Sequence, residues 1–187
     1  MSKDPIMMTF GIKVPEDVQQ LAKDNKIALF SSNIIYTLLD EYDKWVKGRK
    51  KREEQALLDE TIRPGMIRVL KGYVFRQSKP AVFGIEVLKG VIKPGYRLML
   101  ENPASAKSGG NVLGEIKEIQ MDGMNRQEAK AGDRVALSMD DVTIGKDFSE
   151  NDVLKTHFTT EANMARISKI RWLLRDDERE MLTEGGL

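Results

Sequence analysis

Cysteine is absent from this 187-residue sequence, and histidine occurs once, at His157. Those two shortages remove disulfides, thiol nucleophiles, serine–histidine–aspartate triads and the usual zinc ligand sets. Long apolar runs are missing too. Nothing approaches the ~20 residues of a bilayer span, and the opening MSKDPIMM has no signal-peptide core. The expectation is a cytoplasmic chain without a membrane partner. No GxxxxGK[ST] phosphate loop and no strand–GxGxxG–helix motif is present, so no nucleotide site is expected. The carboxylate pairs Asp140–Asp141 and Asp176–Asp177 are sequence neighbours, which read as turn or helix-start residues rather than an acid–base pair. His157 has no visible partner and reads as structural. No catalytic residue and no metal ligand is assigned.

What is present is a segregated charge. The net charge is +1, with 30 Lys and Arg against 29 Asp and Glu. Residues 61–110 nevertheless carry 9 Lys and Arg against 2 Asp and Glu. A basic block in a neutral chain is the electrostatic footprint of a polyanion site. The hydrophobic content of 41 % leaves room for one moderate domain, or a small domain and part of another.

Residues 33–60, NIIYTLLDEYDKWVKGRKKREEQALLDE, read as one long helix capped by Asn33. Its first turns carry Ile34, Ile35, Leu38, Leu39, Tyr42, Trp45 and Val46 at helical spacing, so a buried face is expected there. From Lys47 to Gln55 the apolar stripe stops, and the middle is expected to be bare. Before this helix, 6–12 and 27–30 read as buried strands around a short helix at 15–23 that opens on a proline. Two strands and one helix make only a partial α/β unit.

After the helix, strand patterns at 66–75, 81–88, 96–100, 112–121, 134–139 and 153–158 are separated by glycine- and proline-rich turns. Six short strands at this spacing imply a small closed antiparallel barrel. Gly84 inside a strand marks a bend or a close backbone approach. The loop at 101–111 has no apolar anchor and reads as mobile. Residues 159–187 read as one or two helices, with Met164, Ile167, Ile170, Leu173 and Leu174 as a stripe that packs on the barrel or offers a groove. The expected domains are 1–32, the connecting helix 33–60, the barrel 61–158 and the terminal helices 159–187. The fold class is α+β.

PAVFGIEVLKGVIKPGYRLML (80–100), GEIKEIQ (114–120) and AKAGDRVALSM (129–139) together resemble the domain-II-like β-barrel of translational GTPases. With IALFSSNIIYTLLDEYDKW and the basic helix before them, and SENDVL and the terminal helices after, the chain resembles the C-terminal part of archaeal and eukaryotic initiation factor five B, counterpart of bacterial initiation factor two. The resemblance implies the end of that factor's third domain, its connecting helix and its fourth domain. It implies binding of the methionylated acceptor end of initiator tRNA and support of ribosomal subunit joining. GTP and magnesium would then be bound by a domain outside this chain, leaving this chain no cofactor and no enzymatic activity.

On that basis Arg76, Lys79, Arg97 and Lys107 are the expected tRNA-binding cations. Gly84, Ile85, Val135 and Ala136 are the expected methionyl pocket, placed where the bacterial pattern has cysteines at the positions of Ile85 and Val135. Barrel core is the competing role for those two. The alternative function is a protein-interaction module, in which Ile167, Ile170, Leu173 and Leu174 hold the C-terminal tail of initiation factor one A.

Overall fold

The computed structural model describes residues 5–102 and 111–184. The expectation of a mobile loop at 101–111, and the cation Lys107 within it, fall mainly on residues 103–110, outside the described residues. The chain divides into two compact units, Met1–Ala56 and Leu57–Leu187.

In the first unit, β1 (Ile6–Phe10) and β2 (Ala28–Ser32) pair in parallel, from Ile6 opposite Ala28 to Phe10 opposite Ser32. Helix α1 (Glu16–Asp24) connects them. Pro15, with φ −61°, precedes its first turn, where no intrahelical N–H is needed. The strands form as expected, but they are not buried. Ile6, Met7, Met8 and Phe10 are all exposed, because a two-stranded sheet with one short helix has too little surface to cover them.

Helix α2 (Ile35–Asp59) begins two residues after the expected cap. The Ser32 hydroxyl, not Asn33, accepts a backbone N–H at its start, from Ile34 at 3.1 Å. Of the apolar face expected to be buried, Leu38 alone is buried in the helix, while Ile34, Ile35 and Leu39 are exposed. Tyr42 and Trp45 instead close edge-on around Phe30 of β2, with ring centroids 6.1 and 5.9 Å from it. The polar middle is held by its own side chains. Arg49 lies 5.2 Å over the Trp45 ring and pairs with Glu53 at 3.3 Å, and Lys50 pairs with Glu54 at 3.9 Å. Such one-turn pairs support a helix that has little else to bury.

The second unit contains β3 (Gly65–Arg76), β4 (Ala81–Ile92), β5 (Arg97–Leu100), β6 (Val112–Met121), β7 (Met124–Arg126), β8 (Ala129–Lys130), β9 (Arg134–Met139) and β10 (Val153–Thr156). The order β3-β10-β5-β6-β9-β4 returns to β3, so the six strands legible in the sequence close an antiparallel barrel. β7 folds back on β6, and β8 adds to the end of β4. The interior follows the period-two alternation of the strands. Phe83, Ile85 and Val87 of β4 meet Leu137 and Met139 of β9, Ile116 and Ile119 of β6, Leu98 and Leu100 of β5, and Phe148, whose ring centroid is 5.1 Å from that of Phe83.

Helix α3 (Glu161–Ile170), a 3-10 turn at Arg171–Leu173 and helix α4 (Asp176–Glu184) follow. Phe158, Ile167, Ile170, Leu174, Met181 and Leu182 form a second apolar cluster, on which Leu58, Ile62 and Met66 pack. The segment between α2 and β3 is tied down by buried polar groups. Asn163 donates to Ile62 O and Phe158 O, both at 2.8 Å, and accepts from Ile62 N–H at 2.9 Å. Thr156 Oγ1 donates to Arg63 O and accepts from Gly65 N–H, both at 2.9 Å. The Tyr96 hydroxyl donates to Thr61 O at 2.8 Å and accepts from Arg63 N–H at 3.3 Å. Arg63 Nη2 reaches Glu178 Oε2 at 2.7 Å, with Glu178 fully buried. A connecting segment that could have been loose is therefore fixed at both its backbone and its one buried charge.

Candidate nucleic-acid interface

Gly84 and Ala136 are register partners on β4 and β9, and Gln120 of β6 is the next partner of Ala136. Their Cβ positions face outward, opposite to the core residues on either side. Two of the three smallest possible side chains in this row leave a trough on the barrel wall. β3 supplies the wall of that trough through an irregularity. Val69 pairs with Ile85 and Val74 with Phe83, so the four residues 70–73 stand opposite Gly84 alone. The extra length loops outward, with Gly72 at φ +78°, and brings Leu70 and Tyr73 over the glycine.

The resulting cleft has a volume of about 460 Å³. Leu70, Tyr73 and Phe75 line one side, and Met121, Asp122 and Gly123 line the other. Tyr73 and Phe75 are 56 % and 66 % exposed, a large aromatic surface for a barrel exterior. The β6–β7 hairpin turns at Asp122 and Gly123, with φ of +52° and +76°, the two left-handed residues of a type I′ turn. A smaller recess adjoins, lined by Met121, Arg126, Glu128, Lys130, Asp133 and Val135. There the Lys130 ammonium, 2.8 Å from Glu128, holds the Glu128 carboxyl below its ordinary value.

Charge borders the trough in a row one pleat away. Arg68 and Arg134 are both register partners of Glu86, and the Arg134 guanidinium contacts Glu86 Oε1 through Nε and Nη2 at 3.2 and 3.1 Å. Arg134 itself lines the cleft. Two arginines thus flank the one Glu86 carboxylate.

The sequence-expected residues divide between places. Gly84, Val135 and Ala136 line the cleft. Ile85 does not: it is fully buried in the barrel core, because adjacent residues of a strand point to opposite faces. Val135 serves both, contributing to the core at 5 % exposure and to the floor of the cleft. Arg76 is exposed at the end of β3. Lys79 is exposed in the β3–β4 turn, where it lines a different, polar cleft with Asp140 and Asp141. Arg97 is exposed on β5, a strand that contributes no residue to the cleft. Ile167, Ile170 and Leu174 are buried inside the second apolar cluster, with Leu173 packed against it. In this arrangement their stripe is already filled by the chain itself and offers no open groove. The residues missed by sequence reasoning are Leu70, Tyr73, Phe75, Gln120, Met121, Asp122 and Arg134. The alternating LKGYVFR run over 70–76, with two aromatics among cations, was the one local signal for them.

The closed antiparallel barrel is of the translation-factor class. Residues 63–155 match the family described as elongation factor Tu domain 4. Among curated relatives, the probable translation initiation factor IF-2 of Methanopyrus kandleri is 42 % identical over 185 residues, covering 97 % of this chain and 30 % of that protein. That of Ignicoccus hospitalis is 39 % identical over 180 residues, covering 96 % and 28 %. The solved GDP-bound aIF5B from Aeropyrum pernix superposes with a TM-score of 0.66 at 35 % identity, over 96 % of this chain and 29 % of that one. The chain is homologous to the C-terminal region of these archaeal initiation factors, and it spans less than a third of their length.

Proposed function

We propose that the cleft receives the methionylated acceptor end of initiator tRNA. The observation that carries this reading is the trough itself: a floor of Gly84 and Ala136, walls of Leu70, Tyr73, Phe75 and Met121, and Arg134 on its edge. An unbranched apolar side chain fits such a trough, aromatic faces suit the terminal nucleobase, and arginines suit the phosphates of a single strand. The role is binding. GTP and magnesium belong to another part of the parent factor, which acts in the cytoplasm with the ribosomal subunits whose joining it supports.

Contact with the tail of initiation factor one A would use the outer surface of α3 and α4, since their inner stripe is occupied. The test of the main reading is the affinity of the chain for methionylated and for uncharged initiator tRNA. Tighter binding of the methionylated form, weakening with salt, is expected. Equal affinity for the two overturns the reading.

A further inference from the structure

The edge of the cleft carries a carboxylate that neither the fold nor its neighbours use. Asp122, the first residue of the turn after β6, lines the same cleft as Arg134. Opposite charges so placed would ordinarily pair. Arg134 is turned instead to Glu86 on the other side, through both Nε and Nη2. Among the described residues the Asp122 side chain takes no hydrogen-bonding or ionic partner, and it is the one carboxylate lining the cleft.

Turn geometry does not explain the charge. Asp122 stands at φ +52° ahead of Gly123, a type I′ position that asparagine fits as well as aspartate. What aspartate adds over asparagine is a negative charge, beside Met121 at the lip of an apolar trough.

We propose that Asp122 is a specificity-determining residue that reads the free α-ammonium group of the aminoacyl ester. The proposal rests on the acceptor-end reading above. In an aminoacyl ester the ammonium is borne by the same carbon as the side chain, so a cation necessarily sits at the mouth of whatever pocket holds that side chain. The phosphates of such an ester lie farther from the side chain, across the ribose. Acylation of the amino group removes the cation and adds bulk at the lip.

The experiment compares uncharged, methionyl- and N-acetylmethionyl-initiator tRNA on the full chain and on Asp122→Asn. Measurement at about pH 6 keeps the amino group charged, below the ordinary α-amino range of about 7.7–8.0. Asparagine keeps the left-handed turn, and unchanged thermal unfolding verifies that. The wild-type chain is expected to prefer methionyl- over N-acetylmethionyl-tRNA by about two- to fivefold, the scale of one partly exposed ion pair. Asp122→Asn should bind those two equally while still preferring both to uncharged tRNA. Equal wild-type affinity for the two charged forms, with uncharged tRNA weaker, overturns the role of Asp122 and leaves the acceptor-end reading intact. Persistence of the preference in Asp122→Asn also overturns it. Failure to distinguish methionyl- from uncharged tRNA overturns the acceptor-end reading itself.

Discussion

Tyr73 stands so close over Gly84 that a Cβ on the glycine would lie 2.8 Å from the tyrosine Cβ. The contact is with the root of the tyrosine side chain, so it cannot be relieved by a rotamer change. Gly84 is required here by proximity and not by its own dihedral angles. The widened β3 segment, the open floor and the aromatic wall are therefore one feature.

Gly84→Ala should push the 70–73 segment off the barrel wall. Overpacking of this kind costs about 1–3 kcal/mol, which denaturant unfolding will read. Binding of methionylated tRNA should fall with it. An alanine variant with unchanged affinity would show that the trough is not the binding site.

Arg134→Ala should lower the slope of log affinity against log salt by about 0.7, the contribution of one neutralised phosphate on a single strand. Arg97→Ala, on β5, which contributes no residue to the cleft, is expected to leave the binding of an isolated acceptor-end oligonucleotide unchanged. A salt titration of both variants separates the cleft edge from the other side of the barrel.

Glu178→Leu should be costly. Arg63 would lose its partner inside the protein, and the Arg175 N–H, which Glu178 accepts at 2.8 Å at the start of α4, would lose its cap. Breaking one side of a buried pair costs about 3–5 kcal/mol, whereas replacing both sides with apolar groups is often neutral. The double variant Arg63→Met, Glu178→Leu should therefore recover much of the loss in a denaturant titration.

Alkaline pH should destabilise the barrel through Tyr96. Burial pushes the Tyr96 phenol above its ordinary value, partly offset by the Arg63 backbone hydrogen bond. The unfolded chain then releases its proton first, so stability is full below about pH 10 and falls as pH rises past it. Glu128 acts at the other end: its folded value is lowered by Lys130, so its contribution is present above the ordinary glutamate range and lost as pH falls through the folded value. Tyr96→Phe should flatten the alkaline limb of a stability–pH curve and leave the acid limb in place.

Lys50→Pro should break α2 in its middle by removing the N–H bond to Val46 and clashing with its carbonyl, a cost of about 3 kcal/mol. Far-ultraviolet circular dichroism should report lost helix while the barrel unfolds at its former denaturant concentration. A shifted barrel transition would show that the barrel depends on the intact helix.

Local patterning made most of the fold legible. Hydrophobic period, glycine and proline punctuation and charge runs are properties of a few adjacent residues, and they located all six barrel strands, the long helix and the terminal helices. The same rule, applied strictly, would have separated Ile85 from Gly84, since neighbours in a strand cannot share a face. Burial was harder to read than secondary structure: Ile6, Met8, Ile34 and Ile35 are as apolar as Ile67 or Leu98, yet only the latter have neighbours to cover them.

Which segments are strand or helix, where the positive block lies, and the resemblance to a translation-factor barrel all follow from residues that are neighbours in the chain. The cleft comes from long-range strand pairing. Its wall arises because β3 pairs with β4 with four residues against one, and its floor because Gly84 and Ala136 fall in register across two strands 52 positions apart. Its edge exists because Arg134 turns to Glu86 and not to Asp122. Each of these is a choice between partners distant in sequence, and no local pattern encodes which partner a residue will meet.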